Sequence, residues 1–199
     1  LVTEREPVVL DLMASWDSHL PGSLTPARVV GLGMNAAEMA ANLRLAERVV
    51  HDLNADPSLP FADETFDLVL NVVSVEYLIR PVEVFREVGR VLKPGGLHLV
   101  VFSNRWFPPK VVWVWEDASE HERVELVEAF FRASEAFDDP ALFMSMGLPR
   151  PETDRYWKSG APSDPVFAVF AEKPGGAPGR RPRIPPPDPA RMEVDARAV

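Results

Sequence analysis

Short apolar runs separated by polar turns dominate the first half of the chain. The last of four such runs is apolar at nearly every position, which is typical of a central strand of a parallel sheet that is covered on both faces. Each run has the length of a β-strand: Val8–Leu12, Arg28–Leu32, Arg48–Val50 and Phe66–Val73. A fifth run, Leu97–Phe102, predicts a further strand.

Helix signals lie between these runs. Asn35 with Glu38 three residues later resembles a capping box and predicts a helix start. Pro81 suits the first turn of a second helix, whose apolar face carries Phe85, Val88 and Leu92. Pro94-Gly95-Gly96 predicts the end of that helix, because proline cannot continue it and glycine accepts a left-handed cap. Strands that alternate with helices indicate right-handed crossovers and a largely parallel sheet.

The second half of the chain predicts one more helix and a strand pair. Ser119 with Glu122 is a second capping-box signal. Glu152–Lys158 and Val166–Glu172 have the composition of strands, and the short turn between them favours an antiparallel pair. The predicted fold is therefore α/β, a doubly wound, Rossmann-like, mostly parallel sheet with an antiparallel C-terminal strand pair.

Composition changes near residue 174. The segment 174–199 is rich in proline and arginine and has few large apolar side chains, so we expect it to be a disordered tail. The division predicted from sequence is an α/β domain over residues 1–173 and this tail over 174–199.

Charge and cysteine content exclude several function classes. The net charge of −9 argues against nucleic-acid binding, which depends on cationic contacts to phosphates. The chain has no cysteine, which removes disulfides and cysteine zinc sites and fits a reducing, cytoplasmic compartment. No apolar run has the length of a membrane span, so we expect no membrane partner. The four histidines show no close metal-ligand spacing, so no metal site is predicted. The sequence leaves the oligomeric state open.

The order and spacing of these motifs resemble class I S-adenosylmethionine-dependent methyltransferases of the type-11 group. Phe66-Asp67-Leu68-Val69 followed by Leu92-Lys93-Pro94-Gly95-Gly96 carries most of the resemblance, and Leu59-Pro60-Phe61 adds to it. The resemblance covers roughly residues 7–103. It implies S-adenosyl-L-methionine as the cofactor and a small-molecule acceptor, and by comparison the helices that usually precede the first strand are missing from this chain.

A narrower subgroup within that family has three matching segments here: Ser15–Pro21, Gly33–Asn35 and Asp52–Asn54. The first motif departs from the usual pattern, since Asp11 stands at the acidic position but the glycine-rich turn after it is absent. At the end of the second strand the usual ribose-binding acid is replaced by Gly33.

By this resemblance, the cofactor-binding candidates lie after the strands. Asp11 would approach the cofactor ammonium group, or else act as a turn or cap residue. Ser15 and Trp16 would replace the glycine turn with a hydroxyl and backbone N–H groups, or else Trp16 packs in the core. Gly33 marks the ribose position, where Asn35 would substitute unless it only caps a helix.

The same resemblance places Asp52 against the adenine amino group and the backbone N–H of Leu53 against an adenine ring nitrogen. A solvated loop position is the alternative for Asp52. Asn71 and Ser74 end the fourth strand and should face the floor of the cleft, although Ser74 also suits a purely backbone-satisfying role.

Candidates for acid–base catalysis are Glu76, Tyr77 and His19, which follow the fourth and first strands. A solvated helix start accounts for Glu76 and Tyr77 equally well. Arg105, Trp106 and Phe107 follow the fifth strand, where aromatic rings would wall a pocket for an aromatic or cationic substrate, or simply pack in the core.

The sequence thus favours S-adenosylmethionine-dependent methyl transfer to an unidentified small molecule. The altered first motif and Gly33 motivate an alternative, a catalytically inactive methyltransferase-like binding or scaffold domain. A nicotinamide-dependent reductase is disfavoured, because no Gly-x-Gly-x-x-Gly turn follows the first strand.

Overall fold

A computed structural model describes residues 6–175 as a seven-stranded sheet flanked by helices. The strands are β1 (Val8–Leu12), β2 (Arg28–Gly33), β3 (Glu47–Val50), β4 (Phe66–Val72), β5 (Leu92–Ser103), β6 (Ala141–Ser145) and β7 (Val166–Glu172). The helices are α1 (Ala36–Ala41), α2 (Pro81–Val91), α3 (Trp113–Asp117) and α4 (Glu120–Ser134). The predicted tail lies outside the described residues, apart from its first two positions.

The order of the strands is β3-β2-β1-β4-β5-β7-β6. The first five are parallel to one another, and β7 runs antiparallel to both β5 and β6. The chain builds outward from β1 toward β3, then returns to the other side of β1 with β4 and β5. The point where the winding reverses therefore lies between β1 and β4, and the predicted fold class is confirmed.

The sheet divides two apolar clusters. Leu10 and Leu12 point to one face, where they share a cluster with Val88 of α2 and Phe131 of α4. Val9 points to the other face and clusters with Met39 of α1. This alternation follows from the two-residue period of a strand, and burial of both faces accounts for the apolar composition of β1 and β4.

His98 of β5 is a core residue. It is fully buried and its ring contacts the rings of Phe85, Phe131 and Phe137. Burial lowers its pKa to about 3, because a charged imidazolium would lose its hydration in this apolar cluster. His98 therefore packs as a neutral aromatic ring.

The Pro-Gly-Gly segment differs from its prediction. α2 already ends at Val91, so Leu92, which was expected on the apolar face of that helix, begins β5 instead and pairs with Phe66. The register then shifts between Phe66 and Leu68, so the segment forms an irregularity within the ladder. Gly95 takes a left-handed φ of 76°, which glycine adopts without the steric cost of a Cβ.

The predicted strand at Glu152–Lys158 is wrong. Asp154 accepts a hydrogen bond from the backbone N–H of Tyr156 at 2.7 Å and pairs with Arg150, which closes a turn there. The partner of β7 is instead β6, at Ala141–Ser145. The antiparallel pair is confirmed, but residues 146–165 form a long connection where a short loop was expected.

Residues 6–175 lack two kinds of feature. No helix there is both long and apolar enough to cross a membrane. No group of three or more metal-ligating side chains converges within the same residues.

Candidate functional site

The carboxyl ends of β1 and β4 lie side by side where the winding of the sheet reverses, and Leu12 is in register with Asn71. In open α/β sheets this position forms a crevice that binds ligands. The next residues along both strands are strained: Met13 has a φ of 63° and Val73 a φ of 49°. A left-handed conformation is rare for any residue with a Cβ and a true outlier for a β-branched one. Strained backbone of this kind clusters at functional sites in proteins.

Buried polar atoms without partners lie at the same edge. Asp11 is 4% exposed, and its Oδ2 has no hydrogen-bond partner. Burial raises the pKa of Asp11 to about 6, although hydrogen bonding to Ser18 opposes the shift. Glu76 follows β4 and is 1% exposed, and neither of its carboxyl oxygens has a partner. Burial raises its pKa to about 7, although hydrogen bonding to Tyr77 and the positive charge of Arg123 oppose the shift.

Asn71 lies near the end of β4, in register with Leu12 of β1. Its side chain is fully buried, and its Oδ1 accepts a hydrogen bond from the Ser74 hydroxyl at 3.0 Å. Its Nδ2 lies 3.9 Å from the sulfur of Met13, a weak acceptor. Ser74 therefore orients the Asn71 amide, and a position of both residues on the cleft floor stays a prediction.

The loop after β1 has no glycine between residues 13 and 20, and α1 holds it in place instead. The Ser15 hydroxyl donates to Glu38 at 2.5 Å, and the Asn35 amide donates to the same carboxylate at 2.6 Å. The Asn42 amide donates to the backbone carbonyl of Ser15 and to the Ser18 hydroxyl, both at 3.1 Å. Ser15 is therefore engaged within the protein.

Sequence reasoning missed the roles of Glu38 and Asn42 in this clamp. Glu38 was recognised only as a helix-start residue. No local pattern connects Asn42 with Ser15, which lies 27 positions earlier. Trp16, at the tip of the clamped loop, is 64% exposed, so the alternative that placed it in the core is wrong.

Gly33 is required by a close approach of the backbone. A Cβ at this position would lie 2.4 Å from the carbonyl oxygen of Ala14, which no side chain tolerates. The approach is fixed by a 2.8 Å hydrogen bond from the Ala14 N–H to the Leu32 carbonyl. Gly33 therefore supplies backbone atoms only, and no acidic side chain fits there.

Asn35 caps α1. Its side-chain oxygen accepts from the backbone N–H groups of Ala37 at 3.0 Å and Glu38 at 3.2 Å. This agrees with the helix-cap alternative, and it leaves the Asn35 oxygen occupied.

The loop after β3 contains Asp52, Leu53 and Asn54. The half-buried Asp52 accepts from the backbone N–H of Asn54 at 2.9 Å, which forms a turn. Leu53 packs its side chain in the core, so only its backbone is available to a ligand. The His51 N–H donates to the Gly33 carbonyl at 3.0 Å, so this loop is tied to the end of β2.

Asn54 links the same loop to the segment after β4. Its amide donates to the Tyr77 carbonyl and its oxygen accepts from the Ile79 N–H, both at 2.9 Å. The loops that follow β2, β3 and β4 are thus joined at one edge of the sheet.

The three acid–base candidates have different surroundings. Glu76 is buried, as described above, and the hydroxyl of the half-buried Tyr77 accepts from the Phe107 N–H at 3.1 Å. Burial raises the pKa of Tyr77. The side chain of His19 is 58% exposed and lies 4.0 Å from Asp17. His19 is therefore exposed, unlike Asp11, Asn71 and Glu76, which are each buried.

The aromatic residues after β5 surround a cation that the sequence did not reveal. Arg123 of α4 is 5% exposed, and its guanidinium lies 4.1 Å from the ring centre of Trp106. It also donates to the Trp115 carbonyl at 3.0 Å. Trp115 packs in the core, whereas Phe107 is 68% exposed and Arg105 pairs with Asp164.

Residues 17–100 match the family model of a methyltransferase domain. The matched segment includes Gly33, Asp52, Asn71 and Glu76 and begins after Asp11. The chain is 36% identical over 67 residues to malonyl-[acyl-carrier protein] O-methyltransferase of Marinomonas sp., covering 32% of this chain and 24% of that protein. It is 40% identical over 88 residues to fatty-acid O-methyltransferase of Mycolicibacterium smegmatis, covering 41% of this chain and 31% of that protein. The chain thus spans less than a third of the length of either relative.

Solved structures agree on the fold. An S-adenosylmethionine-dependent methyltransferase from Mesorhizobium loti superimposes with a TM-score of 0.53 at 16% identity, covering 84% of this chain and 91% of that one. A SAM-dependent methyltransferase from Methanosarcina mazei gives a TM-score of 0.52 at 16% identity, covering 87% and 95%. The family match supports S-adenosyl-L-methionine as the cofactor of this domain. The resemblance to class I S-adenosylmethionine-dependent methyltransferases is therefore confirmed over residues 17–100, which match the model of a methyltransferase domain.

Proposed function

We propose that this chain catalyses methyl transfer from S-adenosyl-L-methionine to a small-molecule acceptor, with the cofactor bound between the ends of β1 and β4. The observation that carries the proposal is the group of buried polar atoms without partners at that point, on Asp11 and Glu76, beside two strained strand ends. The absence of cysteine fits a reaction in a reducing compartment such as the cytoplasm.

The residues at this edge fit such a cofactor at its amino-acid end. A buried carboxyl oxygen without a partner costs free energy, and a ligand ammonium group would satisfy it. Asp11 would therefore hold the cationic end, while the amide of Asn71 would donate to an oxygen of the same group. When bound, the cofactor supplies a methyl group on a sulfonium sulfur that leaves with the electron pair of the broken bond.

The adenosine end would be held differently from the usual family pattern. Asp52 and the backbone of Leu53 are the candidates for adenine, on the loop that follows β3. Since Gly33 has no side chain, the ribose hydroxyls need another acceptor. Glu38, held between Ser15 and Asn35 in the first turn of α1, is the acid nearest along the chain to the end of β2.

On the acceptor side, Glu76 has the environment of a general base. Its pKa of about 7 lies close to neutral pH, and a general base is most effective when its pKa is near the pH of the reaction. It would take the proton from an acidic O–H or N–H acceptor as the methyl group arrives. Tyr77, whose hydroxyl is fixed by the Phe107 N–H, would orient the acceptor, because alignment supplies much of the rate enhancement of such a displacement.

Calorimetric titration with S-adenosylhomocysteine tests the proposal. We expect the wild-type chain to bind it, and to gain about 2.7 kcal/mol of stability when the ligand is present at about a hundredfold excess over its Kd. Asp52→Ala should weaken binding about tenfold, the value of one good hydrogen bond to a charged group. Asp63→Ala is the matched control, since Asp63 is an exposed acid on the loop before β4, at the opposite edge of the sheet.

Two outcomes would change the conclusion. No heat and no stabilisation with wild type would overturn cofactor binding. Binding of S-adenosylhomocysteine without methyl transfer to any of a panel of phenols, carboxylic acids and amines would instead favour the inactive binding domain.

A further inference from the structure

Met13 stands at the strained end of β1, beside the amide that the proposed function assigns to the cofactor. We propose that the Met13 side chain occupies part of this crevice and competes with the cofactor for Asn71, so that it sets the affinity of the site. This inference rests on the proposed function and adds a residue of this chain that limits cofactor binding.

The side chains of Met13 and Asn71 are in contact. The sulfur of Met13 lies 3.9 Å from Nδ2 of Asn71, whose other end is bonded to Ser74. A thioether is a weak acceptor, so a buried amide N–H directed at sulfur retains most of its capacity for a better partner. A carboxylate oxygen is such a partner, and the cofactor carries one.

The Met13 side chain can move while its backbone cannot. The backbone at residue 13 is held in its left-handed conformation on both sides, by the β1 ladder before it and by the Ala14 N–H to Leu32 bond of 2.8 Å after it. The side chain is only half-buried, and methionine is unbranched with three rotatable bonds. It can therefore leave Asn71 by rotation while the backbone stays in place.

Methionine is an unfavourable residue for the backbone conformation at position 13. Glycine takes a φ of 63° without strain, whereas methionine does not. A side chain kept at a strained position next to a binding crevice indicates a local function, because strain of this kind persists where the mechanism uses it. The function inferred here is to close the crevice in the free protein.

Titration with S-adenosylhomocysteine of Met13→Ala and Met13→Gly tests the inference. If the side chain covers Asn71 in about nine of ten molecules, its removal should lower the apparent Kd about tenfold. Met13→Ala keeps the strained backbone and removes the side chain that covers Asn71. Most of the gain in affinity should therefore already be present in this variant. Met13→Gly should bind at least as tightly.

Glu64→Gly is the matched control. Glu64 is also left-handed, with a φ of 54°, but it lies on the turn before β4, at the opposite edge of the sheet. Its replacement relieves the same kind of strain and should leave the Kd for S-adenosylhomocysteine unchanged. A second measurement uses methionine labelled with ¹³C in its methyl group: the Met13 resonance, identified by its loss in Met13→Ala, should shift when ligand is added to the wild type.

The outcomes separate the two proposals. Variants that bind with the wild-type Kd, or more weakly, would refute the competition while the proposed function stands. Failure of the wild type and of both variants to bind would overturn the proposed function and this inference together. Binding by the variants but not by the wild type would support the inference in its strongest form.

Discussion

Acidic side chains have hydrogen-bond partners at the amino edge of the parallel sheet and lack them at the carboxyl edge. At the amino edge, Asp67 accepts from Lys93 at 2.9 and 3.0 Å and from the Val8 N–H at 2.9 Å. At the carboxyl edge, Asp11 and Glu76 are buried with oxygens that have no partner. Both edges belong to the same strands, so composition alone does not distinguish them. The difference shows that acidic oxygens are paired at the amino edge and left without partners at the carboxyl edge.

Arg90 shows how thoroughly the amino edge is satisfied. Its guanidinium donates to two carboxylates, those of Glu87 and Asp63, and to the carbonyls of Leu59 and Phe61. These bonds join α2 to the loop before β4. Natural proteins keep such local consistency except where function demands otherwise, which makes the unsatisfied edge the informative one.

The largest effect expected from this comparison is on pH dependence. The pKa of Glu76 is raised from 4.5 to about 7 by burial, so the folded protein binds this proton more tightly than the unfolded chain. Ionisation of buried Glu76 therefore lowers the stability of the folded protein fully above about pH 7 and has no effect below about pH 4.5. Between those pH values the cost grows to about 3 kcal/mol. Glu76→Gln should remove this cost, so urea unfolding at pH 4 and pH 8 should show a gain over wild type only at pH 8. An equal difference at both pH values would show that Glu76 is not buried as an ionisable acid.

The next-largest effect is expected when the hydrogen bonds of Arg90 at the amino edge are removed. Arg90→Met should lower the free energy of unfolding by about 2–3 kcal/mol, because several buried or half-buried acceptors lose their donor together. Urea denaturation measures this loss, and the affinity for S-adenosylhomocysteine should not change. Arg86→Met is the control on the same helix, since Arg86 is exposed and should cost less than about 0.5 kcal/mol. Similar losses for the two variants would contradict the role given to the Arg90 network.

Asp11→Asn tests the carboxyl edge of the sheet. It keeps the shape of the side chain and removes a buried charge, so stability at pH 7 should stay the same or increase. Affinity for S-adenosylhomocysteine should fall about tenfold or more, because a ligand ammonium group loses its counter-charge. The matched variant at the amino edge is Asp67→Asn, which should destabilise the protein and leave the affinity unchanged. A reversed pattern in calorimetry and unfolding would remove Asp11 from the site.

Much of the fold followed from local signals in the sequence, whereas the site did not. The runs that became β1, β4 and β7 were visible because burial requires continuous apolar residues. β6 was missed because this strand is only partly buried and its five residues carry no alternating pattern. The clamp of Ser15 by Glu38 and Asn42 joins positions 23 and 27 residues apart, which no local pattern encodes. The left-handed backbone at Met13 was also not predicted, because a glycine at this position would have indicated a turn and methionine does not.

The smallest expected effect compares strain at the site with strain elsewhere. Glu135 caps the C-terminus of α4 with a φ of 58°, and Val73, the residue after β4, has a φ of 49°. Glu135→Gly should raise the free energy of unfolding by about 0.5–1 kcal/mol, because glycine takes this helix-cap conformation without strain. Val73→Gly should gain no less in relieved strain, since a β-branched residue is the costlier one in that region. The two variants should differ in calorimetry with S-adenosylhomocysteine: Glu135→Gly should bind like wild type, whereas Val73→Gly should show a changed Kd because the strained strand end borders the crevice. Identical affinities for both variants would show that the strain at the end of β4 is structural and plays no part in binding.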